Sequence, residues 1–93
     1  MIFDWDKKKA KINILKHKVS FEEAETIFYD FFSVTITDPI HSIGEERFIT
    51  IGLSNKRRLL IVSHIESENR IWIISSRIAT NKERKIYEEE NRN

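Results

Sequence analysis

The chain has 93 residues, 40% of them hydrophobic with ten aromatics, which is enough for one packed core at the ~50–200-residue scale of single domains. With 33% charged residues but a net charge of only +1, the total charge singles out no partner; the absence of cysteine excludes disulfides and thiolate metal sites. Apolar runs such as Leu59-Leu60-Ile61-Val62 fall far short of the ~20 residues of a spanning helix, and Met1-Ile2-Phe3-Asp4 begins no signal peptide, so a cytoplasmic location without a membrane role is expected.

Charge is unevenly distributed. Residues 1–18 hold six lysines against Asp4 and Asp6, a local balance of +4, whereas Val19 to Phe31 hold four acids and no cation. Lys56-Arg57-Arg58 forms a second basic cluster. Such polarity permits a phosphate-binding face beside an acidic one.

The first element is a short strand, Ile2 to Asp4, followed by Asp6 as the N-cap of a helix reaching about Lys16. Lys9, Asn13 and Lys16 lie at i, i+4 and i+7 and form one polar stripe on that helix. Ser20 and Glu23 have the spacing of a capping box, opening a second helix that buries Phe21, Ala24, Ile27 and Phe28 and ends near Asp30. From Ser33 to Thr37 the period changes to two, with β-branched residues, and reads as a strand. A loop from Asp38-Pro39 to Gly44 precedes a second alternating stretch, Arg47 to Leu53. Leu59 to Ile65 and Ile71 to Ser76 are apolar on both faces, as in central strands covered by other layers. Thr80 and Glu83 make another capping box and begin a last helix to about Glu90. The predicted order is β-α-α-β-β-β-β-α, an α+β domain spanning 1–93 around an antiparallel sheet packed by helices.

Several chemistries lack support. His17, His41 and His64 are scattered without metal-ligand spacing, so no metal site is expected. No G-x-S-x-G elbow, cysteine nucleophile or Gly-rich phosphate loop is present. Cations near element ends remain: Arg57 and Arg58 at the start of one strand, and Arg77 at the end of another, on the side of Ile71, Ile73 and Ser75. Thr80, Arg84 and Tyr87 share one face of the last helix. RNA cleavage needs such groups: cations for the phosphate, and an acid and base for the 2′-hydroxyl and the leaving oxygen. The bland readings are an ion pair for Arg77, a surface pair with Glu88 for Arg84, half-buried packing for Tyr87, a helix C-cap for His17 and a structural histidine for His64.

The sequence also resembles a family. Phe3-Asp4-Trp5-Asp6, Asn13, Lys16-His17, Val19 to Ala24, Asp38 to Phe48 with Glu45-Glu46-Arg47-Phe48, Ile51-Gly52, Ile71 to Thr80, Glu83-Arg84 and Tyr87 resemble BrnT toxins in order and spacing. Ser63-His64, Ser76 and Lys18 depart from that pattern. The resemblance implies a RelE-like ribonuclease fold and a growth-arresting RNA endonuclease needing no cofactor. It also implies neutralisation by a BrnA-like antitoxin and contact with operator DNA only through the toxin–antitoxin complex. The resemblance points to Arg58, Arg77, Lys16, His17 and Arg84; with the chemistry of the residues themselves added, Arg77, Arg58, His17, Lys16 and His64 are the catalytic candidates. Lys9, Asn13, Arg57, Arg84 and Tyr87 are the RNA-binding candidates. The rival expectation is a non-catalytic module on the same fold that binds an antitoxin or a nucleic acid.

Overall fold

In the computed structural model, which describes residues 1–92, the elements follow the predicted order. They are β1 (Ile2–Trp5), α1 (Lys7–His17), α2 (Phe21–Thr26), β2 (Val34–Thr37), β3 (Arg47–Leu53), β4 (Leu59–Ser67), β5 (Arg70–Ile78) and α3 (Asn81–Glu90). Asp6 caps α1 by accepting from the amides of Lys8 and Lys9 at 2.7 and 3.1 Å. Lys18 ends the helix in the left-handed region (φ 59°), with its N–H on the carbonyl of Ile14. The Thr80–Glu83 box forms in full. The Ser20–Glu23 box forms only half: Ser20 accepts from the Glu23 amide, but the Glu23 carboxylate turns inward to Arg58 and Ser54. A 3-10 turn, Ile27–Tyr29, completes the second helical stretch.

The strands make one sheet in the order β1-β5-β4-β3-β2. It is mixed, which corrects the expectation of an antiparallel sheet: β2 to β5 are antiparallel, but β1 runs parallel to β5, Ile2 opposite Arg70. The reason is the connection. After β1 the chain passes over one face, with α1 against β5, α2 against β5 and β4, and the 3-10 turn against β3. It joins the far edge as β2, so no hairpin ties the direction of β1 to a neighbour. Alternation in sequence reports which side chains share a face, not which way the next strand runs.

One face of the sheet carries Leu60, Val62, Ile71 and Ile73 against Val19, Phe21, Ala24 and Ile27. Each of these larger side chains contributes roughly 1.5–3 kcal/mol by leaving water. The other face buries Ile51, Leu59 and Ile61 beneath Ala79 and Tyr87 of the α3 region, and α3 covers only part of it. None of the described helices is long and apolar enough to cross a membrane.

A β-bulge divides β5. Ser63 opposes Ser75, but the next residue, His64, opposes Ile73, which leaves Ile74 as the extra residue. The bulge reverses the alternation. Ile71 and Ile73 point into the helical core, whereas Ser75 and Arg77 open on the other face, correcting the expectation that all four share a side.

Beyond Ile73 the edge of β5 is unpaired, because β1 reaches only from Arg70 to Ile73. The Asn13 amide takes the place of the missing strand. Its Oδ1 accepts from the Ser76 N–H at 3.1 Å, and its Nδ2 donates to the carbonyls of Ser76 (2.8 Å) and Val19 (2.9 Å). A side-chain amide has the donor and acceptor of a peptide, so it satisfies an edge that would otherwise be buried unpaired, at about 1–3 kcal/mol per orphaned group.

Candidate active site

On the half of the sheet that α3 leaves uncovered lies a cleft of about 370 Å³. Its polar lining includes His17 at the end of α1, Asp38 and His41 in the β2–β3 loop, Arg47 at the start of β3, and Ser75 and Arg77 on β5. Ile49 and Ile61 form part of its floor. A narrower groove of about 160 Å³ continues along α1, lined by Lys9 and Lys16 and sharing His17 and Ser75 with the cleft.

Arg77 is held rather than free. Its Nη1 and Nη2 donate to the two carboxylate oxygens of Glu83, each at 2.7 Å. This fork is the ion pair that the bland reading of Arg77 expects, with Glu83 of α3 as its partner. Glu83 also accepts from the Thr80 amide, so one carboxylate caps α3 and orients the guanidinium. The Arg77 fork, ahead of the other causes, lowers the Glu83 carboxyl to about 2. Arg47 is the opposite case. It makes no salt bridge among the described residues, and its buried Nε has no hydrogen-bond partner there. A guanidinium with uncommitted donors beside another fixed one suits an oxyanion such as phosphate.

The remaining candidates occupy other environments. Arg58 binds Glu23 through Nε (3.0 Å) and Nη2 and also donates to the Lys18 carbonyl, on the helical face and away from the cleft. Its hydrogen bond is the largest cause lowering the Glu23 carboxyl. Asn13 lines the groove, but its amide is consumed by Val19 and Ser76. Arg57 stands exposed in the β3–β4 turn at φ 60°, and Arg84 is exposed on α3; neither lines the cleft. Tyr87 packs on Ile51, Leu59 and Ile61, and its hydroxyl donates to Asp30 at 2.6 Å. Burial, then Asp30, pushes that phenol up to about 12, outside the range of proton transfer near neutral pH.

His64 is 0% exposed and lies between Phe28, edge-on at 5.0 Å, and Phe48, stacked at 5.9 Å. Its Nε2 pairs with Thr50 Oγ1 at 2.7 Å. Burial pulls its pKa down to about 4. Between pH 6.5 and 4 the unfolded chain therefore binds a proton that the native fold refuses. Stability falls across that window as pH drops, by about 3 kcal/mol in all. His64→Leu should flatten that part of a denaturant-midpoint profile. A profile that keeps its slope between pH 6.5 and 4 in the folded variant would assign the dependence to another group.

Sequence reading did not single out Arg47, and it weighed His41 only as a metal ligand. The available signal was their position on either side of a short loop closed by Asp38 and Pro39. Among the described residues no cluster of three or more His, Asp or Glu side chains could hold a metal ion.

Comparison with known proteins agrees with this architecture. A family model described as the ribonuclease toxin, BrnT, of type II toxin–antitoxin systems matches residues 5–83. Among solved structures, the crystal structure of the Brucella abortus ribonuclease toxin BrnT is similar at a TM-score of 0.62 and 22% identity. That match covers 87% of this chain and 100% of the other. At such identity the likeness is one of fold. No curated protein matches the sequence.

Proposed function

Because the chain belongs to the BrnT family of ribonuclease toxins of type II toxin–antitoxin systems, we propose that it is a metal-independent RNA endonuclease whose site is the Arg47–Arg77 cleft. The observation that carries this reading is the convergence of two arginines and two imidazoles from four separate segments on one open sheet face.

In this reading Arg47 and Arg77 bind the non-bridging oxygens of the scissile phosphate, and their charge is most useful when the pentacoordinate state gains negative charge. Ser75 adds a hydroxyl donor on the same wall. His17 exchanges a proton with the reacting oxygens, and Lys9 and Lys16 hold the next phosphates along the groove. Exposed lysines in that position raise affinity without specifying a base. The whole chain acts as one domain of RelE-like type in the cytoplasm. A BrnA-like antitoxin neutralises it, and operator DNA is reached only through that complex.

The test is cleavage of RNA by the purified protein in excess chelator. Undiminished cleavage, with products ending in 2′,3′-cyclic phosphate, is expected, since proton transfer and guanidinium charge suffice for the reaction. Loss of cleavage on chelation, restored by a divalent cation, would overturn metal independence. A protein that cleaves no RNA and causes no growth arrest, yet still binds an antitoxin, would favour the binding module.

A further inference from the structure

We propose that His41, fixed by Asp38, is the general base that takes the 2′-hydroxyl proton in the cleavage assigned to this cleft, with Asp38 as its positioning residue; the inference rests on that assignment. His41 Nδ1 and Asp38 Oδ2 are 2.8 Å apart. The imidazole is 64% exposed and lines the cleft, whereas the Asp38 side chain is only 14% exposed. A carboxylate accepting at Nδ1 fixes the neutral tautomer with its proton there, so Nε2 keeps the lone pair and can receive a proton. A shielded carboxylate behind a wet imidazole is the arrangement by which a third group orients a base.

The loop that carries this pair is built to hold it. The Asp38 amide donates to the Arg47 carbonyl at 2.8 Å, continuing the β2–β3 ladder past the end of β2. Ser42 Oγ donates to the Asp38 carbonyl at 2.6 Å and accepts from the Arg47 amide at 2.9 Å. Pro39 begins the 3-10 turn Pro39–His41, where its fixed φ suits the first position. These bonds tie the imidazole and the Arg47 guanidinium to one frame. The charged and titratable groups around the base are Asp38 from its own loop, Arg47 from β3, Arg77 from β5 and His17 from α1.

The step balances without any redox partner. The 2′-hydroxyl proton passes to Nε2 of His41 as the 2′-oxygen forms a bond to phosphorus. The bond from phosphorus to the 5′-oxygen breaks, and that oxygen leaves with the electron pair and takes a proton from His17 or water. The products are a 2′,3′-cyclic phosphate and a 5′-hydroxyl. His41 then releases its proton to solvent.

The test uses an RNA oligonucleotide whose scissile position is mapped with the wild-type protein. His41→Ala should lower kcat by roughly 10²–10⁴-fold. It should leave unchanged the affinity for the same oligonucleotide carrying a 2′-deoxy residue at that position. Asp38→Asn should lower kcat and leave KM unchanged, because the orientation of the imidazole counts only in the proton-transfer step. A pair that merely shaped the cleft would raise KM as well. A substrate with sulfur in place of the 5′-bridging oxygen leaves without protonation, so it should not rescue His41→Ala; rescue would make His41 an acid and overturn the inference. Wild-type cleavage by folded His41→Ala, with cleavage still lost in Arg77→Ala, would overturn His41 and leave the cleft standing. A wild-type protein that cleaves no RNA would overturn both.

Discussion

Arg77→Ala should reduce RNA cleavage by roughly 10²–10³-fold, the usual cost of removing one preorganised donor from a developing oxyanion. The loss should fall on kcat more than on KM, because the charge that Arg77 meets grows in the transition state. Arg77→Lys should recover only part of the rate: an ammonium keeps the charge but cannot hold Glu83 with one edge and phosphate with another. The control is stability. Glu83 keeps its bond from the Thr80 amide when Arg77 is removed, and the pair is partly exposed, so the variant should still fold cooperatively. The fork stays intact throughout the assay range. With the Glu83 carboxyl lowered to about 2, its contribution is present above the ordinary carboxylate range and is lost only as pH falls from about 4.5 toward 2. Full cleavage by the folded Arg77→Ala protein, measured under single turnover, would remove Arg77 from the mechanism and with it the main support for the cleft.

The largest expected effect on folding lies at the other arginine singled out from sequence. Arg58→Ala should destabilise the domain by about 3 kcal/mol, read as a shift in urea midpoint, because it leaves the Glu23 carboxylate buried without its cation. The Glu23 side chain is 2% exposed, and its other side-chain partner is Ser54 Oγ at 2.6 Å. For a chain of this size that cost is a substantial part of the total stability. Toxicity in cells would then vanish for a reason unrelated to catalysis. Glu23→Gln combined with Arg58→Met separates the two explanations. The neutral pair removes the stranded charge, and the double variant should regain most of the stability and cleave RNA at the wild-type rate. If it folds but cleaves as poorly as Arg77→Ala, Arg58 contributes to the reaction directly. Coupling between the two sites is itself the signature of contact.

Glu23 also shows how a local signal is correct and incomplete. Ser20 followed by Glu23 has the spacing of a capping box, and the helix does start at Phe21 with Ser20 as its cap. What the spacing could not reveal is that Arg58, thirty-five positions away in sequence, offers the carboxylate a stronger partner than the Ser20 amide. Thr80 and Glu83 have no such competition for the capping bond, because Oε1 of that carboxylate accepts from Arg77 and the Thr80 amide at once. The two motifs are alike in sequence and differ only in what the fold brings within reach.

The site was legible to a similar depth. His17 and Arg77 could be picked out because they are titratable or cationic groups at element ends, and Lys9 and Lys16 because they lie on one helical stripe; all four border the cleft or its groove. His64 and Tyr87 carry the same side-chain chemistry as real candidates. They are set apart only by their surroundings, Phe28 and Phe48 for one and Asp30 for the other. Arg47 and His41 were passed over because nothing in a short loop and a strand's first position announces a common cavity.

By itself the sequence determined the kinds and order of the elements, the N-caps Asp6, Ser20 and Thr80, and the apolar stretch of β4. These depend on interactions within about four residues or on a strict period of 2 or 3.6, and both are written along the chain. The tertiary structure decided the direction of β1, the partner of Glu23 and the face on which Arg77 emerges. Each depends on a contact between distant segments, and the last on one extra residue: without Ile74 bulging from β5, the period of two would place Arg77 in the hydrophobic core beside Ile71 and Ile73.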